Sequence, residues 1–443
     1  MSSASASISV LEHDELLIGA SATASSLTFA EVDQLSRIAE MRPGFCSRGV
    51  QRVRFAQYAG LVGLGGRVLE ILPKVDSLTL PPERCRKILL RLLGLAEGLR
   101  LIDTGDSEQG TCRMPLLDVF IASFFEEVAN LIRGGLLHRY RAQEDDLQVV
   151  RGKILIQRQI GANALRMDRI ACRYDELTAD NNWNRVLKAA LRLVGRRITS
   201  VTLRRRWGEI WPAFDEVSEL EGPVEFLKGL TPDRQAARYN VAVRWANWIL
   251  STLSPSLRSG TAEAPGFLVD TNQLFERAVA RHLRRQLANI DTRYLLECQP
   301  TGTFLAQVSK ASGERMIGLR PDLQICMGSV NVLVADTKWK RIDMSPSGYL
   351  TPISGDVQQM LAYAAAFDCE ELALIYPWHD GLTNARETVL HLPPAGRVIP
   401  RLHIVILDVG CDGLPLRRGE QIAHLFNAAA PEGHTETFRS CEF

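Results

Sequence analysis

Several classes of protein are excluded by what this chain does not contain. Apolar runs such as Asn331–Ala335 and Ile404–Leu407 are far too short to span a bilayer, so no membrane segment is expected. The opening MSSASASISV has neither a basic stretch nor a long apolar one, and does not read as a secretory signal. The nine cysteines, at positions 46, 85, 112, 172, 298, 326, 369, 411 and 441, include no C-x-x-C pair and are odd in number. A disulfide framework or structural zinc site is therefore not expected, and a reducing cytoplasm is the expected compartment. No G-x-x-x-x-G-K-[ST] loop occurs; Arg151-Gly152-Lys153 lacks both the upstream glycine and the following Ser or Thr. Any nucleotide motor has to come from another chain. An excess of charge is missing too, since 52 Lys and Arg against 51 Asp and Glu give a formal +1. Proteins that hold DNA by bulk electrostatics are usually more basic. DNA contact here is then confined to local patches, or a partner supplies much of the affinity.

What is present is a soluble globular composition, 46% hydrophobic and 23% charged, on a 443-residue chain long enough for two or three domains. The pattern predicts a multidomain α+β protein. A small β-rich module covers residues 1–82, a mainly helical middle domain 83–258, and a C-terminal α/β domain with a mixed sheet 259–443. In the first, Thr28-Phe29-Ala30-Glu31 has capping-box spacing ahead of Val32, Leu35 and Ile38. Val50–Tyr58 and Arg67–Leu72 read as strands separated by a Gly-rich stretch (Gly60, Gly63, Gly65, Gly66), and Leu80-Pro81-Pro82 marks a boundary. The arginines Arg48, Arg52 and Arg54 cluster near that first strand; Arg52 and Arg54 share a face by the period of two.

The middle domain carries one long helix along Leu116, Phe120, Phe124, Val128 and Leu131, stopped by Gly134-Gly135. A second apolar face runs from Trp183 to Val194, and Val149–Gln157 breaks the helical pattern as a strand or hairpin. Residues 259–264 read as a linker. Beyond it come a helix near 271–288, strands near 294–298, 315–320, 322–327 and 331–338, a helix over 355–367, and strands near 371–376, 386–391 and 402–408. A last helix is expected over 419–428.

One constellation in this third carries chemistry. Arg320-Pro321-Asp322 leads into a strand that turns at Gly328-Ser329 and returns through Asp336-Thr337-Lys338. With the hairpin centred near Ser329, Asp322 and Asp336 lie opposite each other on one face, and the pleat puts Lys338 on the same face. An Asp-Thr-Lys triplet alone is also what an exposed ion pair looks like; the second aspartate in register is what raises it above that. Adjacent carboxylates repel unless a cation sits between them, and Mg²⁺ accepts one or two carboxylates while keeping water and substrate phosphate. Glu276, on the helix before the sheet, could complete the metal shell through water. Gln359 and Tyr363 share a helix face at i, i+4 and offer uncharged contacts to a phosphate backbone.

These residues together resemble the RecB-like branch of the PD-(D/E)xK nucleases. Over nearly its whole length the chain resembles, more narrowly, the McrC family of modification-dependent McrBC restriction systems. The blocks that carry the narrower likeness are Ile71-Leu72-Pro73-Lys74, the Phe124–Tyr140 helix and turn, Arg151-Gly152-Lys153, Tyr174–Asn181 with Asn184-Arg185, and Asp270–Glu276. The chain departs from the commoner pattern with Val357-Gln358 ahead of Gln359; the i+4 relation to Tyr363 selects Gln359. The resemblance implies a Mg²⁺-dependent DNA endonuclease subunit, with Asp322, Asp336 and Glu276 as metal ligands and Lys338 as the catalytic cation. It also implies an AAA+ GTPase ring of McrB type as partner, engaged by the N-terminal end of the chain, and double-stranded DNA as substrate. Two other readings stand beside it: a stand-alone RecB-like repair or recombination nuclease, and a non-cleaving adaptor of an AAA+ motor. Near-neutral charge argues against the first, and the intact Asp322, Asp336 and Lys338 against the second.

Overall fold

The computed structural model describes residues 8–23, 25–64, 67–74, 81–98, 115–166, 168–220, 230, 233–253, 267–307 and 315–411. The expected linker at 259–264 and the helix at 419–428 lie outside them. The fold is a mixed α/β one with several sheets. Helix Phe29–Met41 starts at the capping box read from the sequence: Glu31 N–H donates to Thr28 Oγ1, and Thr28 N–H to Glu31 Oε2.

The N-terminal strands differ from expectation. What reads as one strand over Val50–Tyr58 is two, Arg52–Phe55 and Tyr58–Leu64, and Gly60 and Gly63 lie inside the second. Tyr58–Leu64 pairs with Arg67–Leu72 on one side and with Phe267–Asp270 on the other, and Ile8–Leu11 completes this four-stranded sheet. The glycines are there for contact. At Gly60 (φ +140°) a Cβ would lie 1.9 Å from the Phe267 carbonyl oxygen, and at Gly63 2.3 Å from that of Thr252. No side chain fits where two backbones approach so closely. A strand supplied by residues 267–270 also means that the start of the chain and the start of its last third share one sheet.

In the middle third, helices Leu116–Arg133 and Asn182–Gly195 bury the apolar faces read from the sequence, and Gly134 with left-handed Gly135 ends the first. Between them stands a three-stranded sheet of Arg139–Leu147, Ile170–Thr178 and the short Lys153–Ile154. Only Lys153–Ile154 falls in the expected break at Val149–Gln157, which then turns into helix Ile156–Gly161. The two long strands escape a hydrophobicity reading because polar pairs join them: Arg173 to Glu144, and Tyr174 hydroxyl to Asp145 at 2.9 Å.

The last third is a six-stranded mixed sheet in the order Tyr294–Cys298, Leu323–Met327, Val330–Thr337, Glu371–Pro377, Arg401–Leu407, Val389–His391. Val330–Thr337 runs antiparallel to Leu323–Met327 and parallel to Glu371–Pro377. Its alternate residues enter different cores. Leu333 and Ala335 join the core that includes helix Thr271–Ile290, while Val334 faces helix Ser354–Phe367. Both helices were expected, within two residues at each end.

Candidate active site

Asp336 closes the buried part of the central strand, and its parity puts it on the face of helix Ser354–Phe367. The expected register holds where it matters: Leu323 pairs Ala335 and Ile325 pairs Leu333, which brings Asp322, one residue before its strand, opposite Asp336. A β-bulge between Ile325 and Cys326 shifts the register only toward the turn. Asp322 is pinned there, because its Oδ2 accepts the Thr337 N–H at 2.7 Å and the Thr337 hydroxyl at 2.6 Å.

Lys338 lies just past the strand end and forms an ion pair with Asp336. Its Nζ also donates to Gln359 Oε1 at 3.0 Å. Gln359 in turn donates to the Tyr363 hydroxyl at 2.7 Å and lies 3.5 Å from Asp336 Oδ1, while Tyr363 donates to the Arg320 carbonyl at 3.2 Å. The chain of contacts runs from strand to helix and back to the turn before Asp322. Gln358, its neighbour, is exposed, so geometry chooses the same glutamine as the i+4 spacing did.

Glu276 approaches from the other side, on helix Thr271–Ile290, whose N-terminus is capped by Asp270. Gln299 Nε2 donates to Glu276 at 3.0 Å, and the Gln299 N–H donates to the Asp322 carbonyl at 2.9 Å, linking the two. Burial, then the charges of Asp322 and Asp336, push the Glu276 carboxyl up to about 7, against the pull of Gln299. Asp336 is 3% exposed, and burial followed by the Asp322 charge pushes it up to about 6, against Lys338.

Burial and the Asp322 charge raise both Glu276 and Asp336, as expected of carboxyls gathered where a cation would offset their charge. Among the described residues, however, no group of three or more His, Cys, Asp and Glu side chains is spaced to hold a metal ion by itself. Asp322 and Asp336, opposite each other in the register, supply the paired carboxylates, and Glu276 is tied to Asp322 through Gln299. That donor set suits a hard ion that keeps most of its own water, as Mg²⁺ does.

Sequence reasoning passed over three participants. Asp356, at the start of helix Ser354–Phe367, accepts from Lys340 Nζ at 2.6 Å and from the Tyr376 hydroxyl at 3.0 Å. Lys340 is thereby engaged away from Asp336, and Lys338 alone faces it. Gln299 and Thr337 are the others; nothing in their spacing distinguishes them from ordinary polar residues. Arg48, Arg52 and Arg54 lie on the exposed hairpin of Cys46–Arg48 and Arg52–Phe55, where Arg48 pairs Asp33 and Arg52 pairs Glu15. Arg48 is the last residue of one strand, and Arg52 and Arg54 lie on the next.

Fold and site define a multidomain α/β protein with a carboxylate–lysine site at the end of a central strand. The family model for the McrBC 5-methylcytosine restriction system component matches residues 53–377, well over half of the chain, and the chain belongs to that family. It is similar to the refined half-complex from the tetradecameric assembly of Thermococcus gammatolerans McrB AAA+ hexamers with bound McrC. That likeness has a TM-score of 0.69 at 19% identity, covering 96% of this chain and 99% of that one. It is also similar to the cryo-EM structure of the Thermococcus gammatolerans McrBC complex, with a TM-score of 0.50 at 23% identity over 64% of this chain and 88% of that one. At these identities the likeness speaks to the fold. No curated relative matches the chain. Among the described residues no helix is long and apolar enough to cross a membrane.

Proposed function

We propose that this chain is the DNA-cleaving subunit of a GTP-driven, modification-dependent restriction complex, a Mg²⁺-dependent endonuclease of the PD-(D/E)xK kind. The observation that carries the reading is the convergence of Asp322, Asp336, Lys338 and Gln359 at one strand end, with Glu276 behind. Asp322 and Asp336 would hold a metal ion, which would supply charge neutralisation on the phosphate and a more acidic water. Lys338, held between Asp336 and Gln359, presents an ammonium group that neutralises charge developing on the phosphate or orients the attacking water. Glu276, with its carboxyl near 7, can take up or hold a proton at neutral pH. Gln359 and Tyr363 fix Lys338 and offer uncharged donors to the DNA backbone.

The partner follows from the company the solved neighbours keep. One of those structures is of McrB AAA+ hexamers with bound McrC and the other of an McrBC complex, and we carry the same partnership to this chain. A chain with a formal charge of +1 gains most from a partner that holds and moves DNA for it. The test is a cleavage assay on methylated and unmethylated plasmid, with and without a partner AAA+ GTPase, GTP and Mg²⁺. Cleavage of the methylated plasmid in the complete mixture, lost with Asp336→Ala, is the expected result. Undiminished cutting by that variant would remove the assignment.

A further inference from the structure

Glu12 follows the first strand and, among the described residues of the N-terminal third, is the most buried carboxylate not paired with an arginine, at 1% exposure. Three donors converge on it, each at 2.7 Å. The Lys74 N–H and the Trp339 indole N–H donate to Oε1, and the Thr271 hydroxyl donates to Oε2. Two of those donors border the site. Trp339 directly follows Lys338, and Thr271 is the first residue of the helix that carries Glu276. The Trp339 ring also lies against Phe275, the neighbour of Glu276, with centroids 5.3 Å apart.

We propose that Glu12 is a positioning residue for the carboxylate–lysine site, holding Trp339 behind Lys338 and Thr271 at the head of the Glu276 helix in one fixed relation. The carboxylate comes from a residue more than 250 positions away in sequence, so the N-terminal sheet is part of what shapes the site. Burial pushes the Glu12 carboxyl up to about 7, and its neutral form can donate to the Thr271 hydroxyl, which has the Gln57 carbonyl as a second acceptor at 3.1 Å. A glutamine reproduces that neutral form: its carbonyl keeps both N–H donors and its amide faces Thr271.

The inference rests on the nuclease reading above, and its test separates the two. In the full-length chain with partner, GTP and Mg²⁺, Glu12→Ala and Trp339→Phe are each expected to lower kcat about tenfold or more, with KM for DNA little changed. The double variant should fall no further than the worse single one, because both remove the same bond. Glu12→Gln should recover most of the loss, which a role in bulk packing does not require. Losses that multiply, or a parental kcat in Glu12→Ala, would overturn the proposal. If Glu12→Ala does not fold, Trp339→Phe decides by the same numbers. Amide exchange needs no cleavage: faster exchange over 271–277 and 333–338 in the Glu12→Ala or Trp339→Phe chain is expected, and unchanged exchange there rejects the proposal. A parental chain that never cuts DNA would instead sink the nuclease reading and leave the exchange result to stand or fall alone.

Discussion

At the scale of single residues, the site separates groups that look alike in sequence. Lys338 and Lys340 are two apart and could both face Asp336, but Asp356 and Tyr376 hold Lys340 in a second network. Lys338→Ala is therefore expected to lose most turnover while metal binding survives, and Lys340→Ala to act mainly on stability; isothermal titration with Mg²⁺ beside a cleavage time course tells them apart. The two aspartates also differ. Asp336→Ala removes a carboxylate that burial already strains, so cleavage should vanish with little change in melting temperature. Asp322→Ala should abolish cleavage and also destabilise by about 1–3 kcal/mol, because the Thr337 N–H and hydroxyl lose their acceptor. Equal melting temperatures for the two variants would contradict that distinction. Gln359→Ala and Tyr363→Phe should weaken cleavage less than either aspartate change, since they hold Lys338 and the Arg320 carbonyl in position and do not ligate the ion.

At the scale of elements, the chain was most legible where local rules and tertiary contacts agree. The hairpin register that aligns Asp322 with Asp336 could be derived from one turn and a period of two, and the bulge at Ile325 and Cys326 spares that part of the ladder. The helix faces of Leu116–Arg133, Asn182–Gly195 and Thr271–Ile290 followed from apolar spacing alone. Where contacts come from distant sequence, reading failed. Gly60 and Gly63 resemble a loop because their reason for being glycine is the backbone of Phe267 and Thr252, some two hundred residues on. The strands Arg139–Leu147 and Ile170–Thr178 have no apolar alternation to find. Gly60 supplies a test of this account. Gly60→Ala forces a Cβ against the Phe267 carbonyl at a positive φ, and should cost about 3 kcal/mol or more, read as a fall in the chemical-denaturation midpoint. A shift of a few tenths would mean the two strands are not packed as described.

At the scale of the whole molecule, the N-terminal sheet and the site are one piece of structure, and this changes how each can be probed. Removing residues 1–80 would take away three strands of the sheet that receives Phe267–Asp270, together with Glu12, so a truncated chain would report on folding before function. The pH dependence of stability is a gentler probe. Burial raises the Glu12 carboxyl from 4.5 to about 7, so the folded chain keeps its proton through a range where the unfolded chain has lost it. Its contribution is full below about 4.5 and is lost as pH rises through about 7. The difference is on the order of 3 kcal/mol. Glu276 and Asp336 slope the same way, so Glu12→Gln should flatten, without abolishing, the fall in unfolding free energy between about pH 5 and pH 8. The proposed engagement of the GTPase ring is then best tested by point changes on the exposed hairpin. Arg48 and Arg52 pair with Asp33 and Glu15 at the surface, where such pairs contribute about 1 kcal/mol or less, and Arg54 is exposed beside them. Replacing all three with alanine should leave the melting temperature nearly unchanged. An arginine brought near a nucleotide can accelerate phosphoryl transfer strongly, directly or by ordering the partner's residues. The triple variant is therefore expected to lose most stimulation of GTP turnover by the partner, while a Mg²⁺ titration of the isolated chain matches the parent. Full stimulation by a triple variant that still binds the ring would move the activating contact away from this hairpin.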